Sequence, residues 1–331
     1  MSREVLLSVL VPVFNTENYL GQCLEGLCRQ TLRQIEVLCI NDGSTDSSMD
    51  IMLAFAAKDS RIRIIDKPNS GYGATLNCGI SEARGEYVGI VESDDFADPK
   101  MFKTLYLTAK RFDCNVVKCN YYNSIEGVDY KIPNFDMFSY GAFPYKKAFN
   151  VLDYPSIVVT NPAVWSGIYR RSILGPGKAE FRESPGAAYQ DTSFAHKVWF
   201  VAETAALVRK PLLHYRIDNP TSSVKRSANV YAVCDELAES ERFLREETSY
   251  TRAFLPWLYV DKWSKMRWNY GRIAEEYKVE FVRFVQADYG KDMLSEEFDK
   301  SLFSTSDWNQ ITTLLETDAE EYVRTYPDVF R

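Results

Sequence analysis

The chain has 331 residues, 46% of them hydrophobic and 26% charged, which is globular composition with length for two domains or one with a large extension. A net charge of −7 argues against a general nucleic-acid binder, which needs a basic footprint to displace counterions. Seven cysteines without a CxxC spacing read as a reduced chain with no zinc site. The longest apolar run, near residues 5–14, is too short to cross a bilayer. A basic leader with a cleavage site is not evident either, so the expectation is a soluble or peripheral, cytoplasmic protein.

Residues 6–13, LLSVLVPV, read as a buried strand, and the next segment places Leu20, Cys23, Leu24 and Leu27 on one helical face. Asn15 or Thr16 can cap that helix. IEVLCI (35–40) is a second buried strand, and NDGSTDSS breaks the chain before a helix expected to turn Ile51, Leu53, Phe55 and Ala56 inward. IRII (62–65) is a third strand. NSGYGATLNCGISEARG makes a glycine-rich turn into a helix, and YVGIV (87–91) is a fourth strand. Strands and helices alternating through short connections predict a parallel sheet covered on both faces, with ligands at the carboxyl ends of its strands.

Beyond Asp95 the rhythm changes. Residues 100–112 predict a helix, 115–122 a strand, and 123–160 a long irregular loop. Residues 189–204 predict a helix, followed by two short strands, AALVRK and LLHYRI. From about 228 the chain reads as helical. The aromatics of 254–270 suit a helix–helix core, or more sharply a dimer or membrane-surface contact. The acidic ETDAEEY (316–322) reads as a solvated helical face. The expected domains are 1–227, split into a nucleotide half (1–100) and an acceptor half (101–227), and a helical region, 228–331.

Four strand-end constellations carry the chemistry. VPVFNTENY (11–19) lacks the GxGxxG of a dinucleotide site. Phe14 there could meet a base and Glu17 a base or ribose, or the segment could be packing plus a cap. In NDGSTD (41–46), Asp42 after an apolar run is a cap or a ligand contact. In NSGYGATLNCG (69–79), Gly71 and Gly73 let a backbone approach something closely. VESDD (91–95) crowds Glu92, Asp94 and Asp95 at a strand end. Carboxylates beside a diphosphate need a cation between them, and Mg²⁺ or Mn²⁺ suits oxygen ligands.

In that order, LSVLVPVFNTENYL, IEVLCINDGSTDSS, IRIIDKPNSGYGATLNCGI and GEYVGIVESDD resemble the family 2 glycosyltransferases of the GT-A fold. The match is strong over about 6–120 and weaker through WSGIYRR, YQDTSF and PLLHYRIDNPTSSV. The resemblance implies an α/β fold: a Rossmann-like, mostly parallel sheet with helices on both faces, plus a C-terminal helical extension. It implies an inverting, metal-dependent, hexosyltransferase-like enzyme (EC 2.4) that uses a UDP-sugar. The acceptor would be a glycan or a lipid- or protein-linked hydroxyl, in cell-surface polysaccharide biosynthesis, with no nucleic-acid partner. A homo-oligomer or a peripheral contact at the inner membrane face through the C-terminal helices fits it as well. The alternatives are a sugar nucleotidyltransferase and a non-catalytic nucleotide-sugar-binding protein.

By the same resemblance, Pro12, Phe14, Glu17 and Asp42 hold the nucleoside, and Gly71, Gly73 and Asn77 lie along ribose and diphosphate. Glu92-Ser93-Asp94-Asp95 stands where the family has Asp-Ser-Asp-Asp. Asp94 then meets the metal, Mn²⁺ or Mg²⁺, while Glu92 and Ser93 serve the nucleotide-sugar, and Asp95 is a cap or an outer acceptor. Asp191 is the base, next to Gln190 as an acceptor contact. Arg216, Ser222 and Ser223 face the leaving diphosphate. His214 is a metal ligand, a diphosphate contact or a core histidine; Trp165 is an acceptor platform or a core residue; His196 is structural.

Overall fold

The computed structural model describes residues 4–125, 128–130, 143–220 and 230–327. The chain divides into two compact units, Met1–Thr221 and Ser222–Arg331. The expected boundary at 227/228 lies outside the described residues.

The first unit opens with β1 (Leu7–Val13), α1 (Glu17–Cys28), β2 (Ile35–Asp42), α2 (Ser48–Ala56), β3 (Ile62–Lys67), α3 (Tyr72–Glu82) and β4 (Tyr87–Ile90). β1, β2 and β4 are buried along their whole length, as continuous apolar runs require of parallel strands covered on both sides. α2 departs from expectation in its phase. Met52 is its buried apolar residue, and Leu53 is 54% exposed. Ser48 starts the inward face, and a helix returns to that face after four residues, at 52 rather than 53.

β5 (Phe96–Ala97), α4 (Met101–Phe112), β6 (Val116–Ile125), β7 (Val128–Tyr130), β8 (Ala148–Asn150) and β9 (Gly167–Arg170) follow, then α5 (Gln190–Val201) and β10 (Thr204–Arg216). The sheet order is β3-β2-β1-β4-β9-β6-β10-β5, with β7 on β6 and β8 on β10. β1 runs parallel to β2 and β4, β2 to β3, and β6 to β10. β9 is antiparallel to both β4 and β6, so the two parallel groups share one direction. The carboxyl ends of β1, β2, β3, β4, β6 and β10 therefore lie along one edge, where α/β sheets bind ligands.

Two expectations are corrected here. The described part of 123–160 holds the end of β6, then β7, β8 and two short 3-10 turns, Val151–Asp153 and Pro155–Val159. The two short strands after α5 are one, β10, whose register with β6 shifts on either side of Pro211. Proline has no N–H for the ladder, so the strand continues with an irregularity.

The second unit is helical: α6 (Ala232–Glu247), α7 (Thr251–Tyr270), α8 (Glu275–Asp292), α9 (Thr305–Glu316) and α10 (Ala319–Thr325). α7 buries Phe254, Leu255, Leu258, Tyr259, Trp263, Met266 and Tyr270, so most of its aromatics are core. Trp268 stays 46% exposed, with Arg272 4.4 Å over its ring. Lys262 of α7 pairs with Asp288 and Asp292 of α8 at 2.7 and 2.6 Å. No described helix is long and apolar enough to cross a membrane.

Candidate active site

The loops after β1 and β2 are bonded to each other. Asn15 takes a positive φ of 52° and accepts Thr45 N–H at 2.8 Å. Glu17 N–H donates to Asp46 Oδ2 at 3.0 Å, and Ser47 N–H donates back to Glu17 Oε2 at 2.9 Å. Each carboxylate thus caps the other's helix, satisfying amides that α1 and α2 leave open. This corrects the expected cap: Thr16 holds the cap position, but its hydroxyl has no partner among the described residues. It also gives Glu17 a structural bond. Pro12 is buried in β1, while Phe14 is 46% exposed at the mouth.

Asp42 ends β2 opposite Lys67, the last residue of β3. The two form an ion pair, and Asp42 also accepts Ser70 N–H at 2.8 Å and Gly71 N–H at 3.1 Å. The carboxylate therefore shapes the loop into α3 and keeps one acceptor position on Oδ2. Gly71 and Gly73 do admit a close backbone, and it is the chain's own. A Cβ on Gly71 would sit 2.5 Å from Ser184 O, and one on Gly73 2.2 Å from Arg182 O. Asn77 joins the same contact, donating to Phe181 O at 2.9 Å and to Glu183 Oε1 at 3.1 Å, and accepting Phe181 N–H at 2.9 Å. Its amide is occupied by segment 181–183 instead of facing a diphosphate.

The three carboxylates after β4 divide. Tyr72 O–H donates to Glu92 Oε1 at 2.5 Å. Burial pushes Glu92 up to about 8 against that bond, with Asp94 and Asp191 adding to the rise. Asp94 Oδ2 accepts Asn219 Nδ2 at 2.7 Å, and its carbonyl accepts Arg216 Nε at 2.9 Å. Arg216 is further held by Gln22 Oε1 at 2.5 Å and by the Tyr19 ring at 4.8 Å. Its guanidinium fixes the backbone behind Asp94. Asp95 is buried; Oδ1 accepts Arg216 N–H at 2.8 Å, and Oδ2 is an orphan among the described residues. Ser93 is buried between them.

Asp191 lies in the first turn of α5, behind Tyr189 at the cap position with φ 64°. Its charge raises Glu92 and Tyr72 and acts on Lys118 and Tyr215. Asp94 and Asp191 therefore both act on Glu92, although Asp191 follows in sequence almost a hundred positions later. Gln190 is taken up by its own loop. It is 1% exposed, accepts Ala188 N–H at 2.6 Å and donates to Ser184 Oγ at 2.8 Å, so it shapes the loop ahead of Asp191.

Trp165 is buried, stacked on Tyr215 at 4.9 Å and met edge-on by Tyr121 at 4.7 Å. One indole face is thus already covered. His214 Nδ1 contacts Asp129 Oδ1 at 2.7 Å, and its ring lies between Phe96 at 4.3 Å and Tyr122 at 5.3 Å. The structure does not gather it with Asp94 into a metal-ligating group; among the described residues no three His, Cys, Asp or Glu side chains are so grouped. His196 is buried and stacks on Phe200, a structural place. Ser222 and Ser223 lie outside the described residues. Tyr72, Lys67, Gln22 and Asn219 escaped the sequence reading; of these, Lys67 and Tyr72 stand inside the quoted IRIIDKPNSGYGATLNCGI and Asn219 inside PLLHYRIDNPTSSV.

A divalent cation fits this donor set. Asp94 has Oδ1 uncommitted among the described residues, and the upward push that Asp94 and Asp191 exert on Glu92 is what a cation relieves.

The model of the family described as Glycosyl transferase family 2 matches residues 8–175. The putative glycosyltransferase EpsH of Bacillus subtilis is 33% identical over 211 residues, 63% of this chain and 60% of that protein. Glycosyltransferase GlyA of Streptococcus pneumoniae is 30% identical over 244 residues, 70% of this chain and 34% of that protein. The chain thus spans less than two thirds of these relatives. Among solved structures, S. aureus TarS 1-349 in complex with UDP aligns with a TM-score of 0.62 at 19% identity, over 97% of this chain and 92% of that one. The mannosyltransferase PcManGT from Pyrobaculum calidifontis, in complex with GDP-Man and Mn2+, aligns at 0.51 and 15% identity, over 98% and 88%. At such identities these likenesses establish the fold.

Proposed function

From a chain that belongs to glycosyl transferase family 2 and is a glycosyltransferase of the GT-A fold, we infer an inverting enzyme that moves a sugar from a UDP-sugar to a glycan or glycoconjugate hydroxyl. Cell-surface polysaccharide biosynthesis at the cytoplasmic side of a membrane is the setting we propose. The observation that supports the reading is that Asp94 and Asp191, far apart in sequence, both act on the buried carboxyl of Glu92. The complex of the structural neighbour TarS with UDP supports the choice of donor nucleotide.

In this reading the donor lies along the carboxyl edge of the sheet, with Phe14 against the base and the free acceptor position of Asp42 toward it. The Glu17–Asp46 caps and the Asp42 bonds hold those loops in shape before the donor arrives, which cuts the ordering cost of binding. Asp191 takes the proton of the acceptor hydroxyl. The oxygen attacks the anomeric carbon from the face opposite the nucleotide. The bond to the diphosphate breaks and its electron pair leaves with UDP, so the configuration inverts. A divalent metal held through Asp94 would supply positive charge to the departing diphosphate. Arg216 contributes by fixing Asp94, since its guanidinium is bonded to that residue's carbonyl.

The test is release of UDP from UDP-glucose, UDP-galactose and UDP-N-acetylglucosamine with Mn²⁺ or Mg²⁺. Full activity in both Asp94→Asn and Asp191→Asn would overturn the assignment.

A further inference from the structure

Lys118 is a buried cation that the transfer scheme leaves unused. It lies in β6 at 2% exposure. Its sheet neighbours, Gly167 on β9 and Leu207 on β10, are uncharged. Gly167 makes room for the stem: a Cβ there would meet Lys118 Cγ at 3.0 Å and Val117 O at 2.7 Å. The ammonium donates to Ala163 O at 2.9 Å and to Pro162 O at 3.3 Å. Ala163 O also accepts Ser166 N–H at 2.9 Å and Ser166 O–H at 2.8 Å. Three donors thus converge on the carbonyl that opens the short 3-10 turn Val164–Ser166, which carries Trp165. α5, the helix of Asp191, packs on the same turn, as does β6.

The ionisable groups acting on Lys118 are Cys119 on its own strand and Asp191 on α5. Burial brings the ammonium down to about 7, while Cys119 and Asp191 push it back up. Among the described residues the bonded partners of this lysine are carbonyls, and Asp191, on a helix that packs against the same turn, is the carboxylate that acts on its charge.

We propose that Lys118 is a positioning residue for the transfer step: it clamps the turn that carries Trp165 and on which the helix of Asp191 packs, and its positive charge acts on Asp191. This rests on the reading of Asp191 as the base. The carbonyl bonds fix where the acceptor side stands, and the charge favours the ionised carboxylate.

Two substitutions separate the effects. Lys118→Gln keeps an N–H donor for Ala163 O and removes the charge; Lys118→Met removes both. UDP release from UDP-N-acetylglucosamine, UDP-glucose and UDP-galactose with Mn²⁺ is followed across the acid limb of kcat/KM. Loss of a nearby cation raises a carboxylate pKa by about 1 unit or more. Lys118→Gln should therefore move the acid limb up by about 1 pH unit, roughly tenfold slower on the acid side and unchanged on the alkaline plateau. Lys118→Met should show the same movement with a further loss at every pH, and Lys118→Arg, which stays charged, should keep the wild-type limb. An unmoved limb in Lys118→Gln, with Asp191→Asn inactive, overturns the proposal; an active Asp191→Asn overturns the reading beneath it instead. For variants that fail to fold, NMR of isotope-labelled lysine in the intact protein decides. Lys118 should titrate near neutrality and lower in Asp191→Asn, and an unchanged titration overturns the pairing.

Discussion

Asp95 Oδ1 accepts the backbone N–H of Arg216 at 2.8 Å, tying the turn after β4 to the end of β10, 121 positions later. Asparagine keeps an acceptor of the same shape there, and alanine leaves the amide of Arg216 without one. Asp95→Ala should lose about 1–3 kcal/mol, the cost of a buried unmade bond, while Asp95→Asn should stay near wild type. Thermal or denaturant unfolding measures both, and equal losses would refute this role for Asp95.

Asp94 and Asp191 serve different steps in the proposed scheme. Asp191→Asn should slow transfer by about 10²–10⁴-fold, the usual worth of a general base, and leave UDP binding intact. Asp94→Asn should weaken the part of the UDP thermal shift that depends on Mn²⁺. A ligand that binds the native state raises its apparent stability, so the shift reads binding without turnover. Loss of UDP binding in Asp191→Asn would count against the division.

Gly73 and Gly21 should respond to alanine in opposite directions. A Cβ on Gly73 would lie 2.2 Å from Arg182 O, a backbone atom, so Gly73→Ala should cost about 1–3 kcal/mol through forced shifts. Gly21 lies in α1 with nothing within 4 Å of its Cβ position. Gly21→Ala should add roughly 0.5–1 kcal/mol by restricting the unfolded chain. Melting temperatures of the two variants, compared in one buffer, check the pair.

The second unit carries its own pH dependence. Burial lifts Asp292 from the ordinary 3.8 to about 6, although Lys262 pulls it down. Lys262 itself is desolvated, but Asp292 and Asp288 outweigh that and hold its proton more tightly. Between the two Asp292 values the folded form keeps a proton that the unfolded form has lost. Stability from this group is therefore greatest below the unfolded value and falls as pH rises to about 6, by about 3 kcal/mol at most. Asp292→Asn should flatten that decline in denaturant unfolding; an unchanged slope would sink the argument.

The sheet was readable in the sequence because buried parallel strands are unbroken apolar runs, as in LSVLVPV and IEVLCI. The turn residues between them mark where chemistry is delivered, so Asp42 and Asp94 stood out, whereas Asp191, in the first turn of α5, came from the family resemblance alone. What the sequence hid depends on distant partners. Asp42 bonds to the amides of Ser70 and Gly71, and Gly71 and Gly73 face carbonyls more than a hundred positions away. Spacing says that a glycine permits an approach, not what approaches. Leu53 was misplaced because the phase of a short helix hangs on its first residue. Pro211 looked like a strand break because the missing N–H is local, whereas the pairing of β10 with β6 around it is not.

The contact of Gly71, Gly73 and Asn77 with residues 181–186 also bears on protein engineering. In the proposed scheme residues 1–100 hold the donor, which makes them the natural cassette to exchange between related enzymes. One wall of that cassette is built by chain that arrives only just before α5. A chimera that swaps the first hundred residues alone would inherit a mismatched seam, so the exchange should carry 181–186 as a second insert.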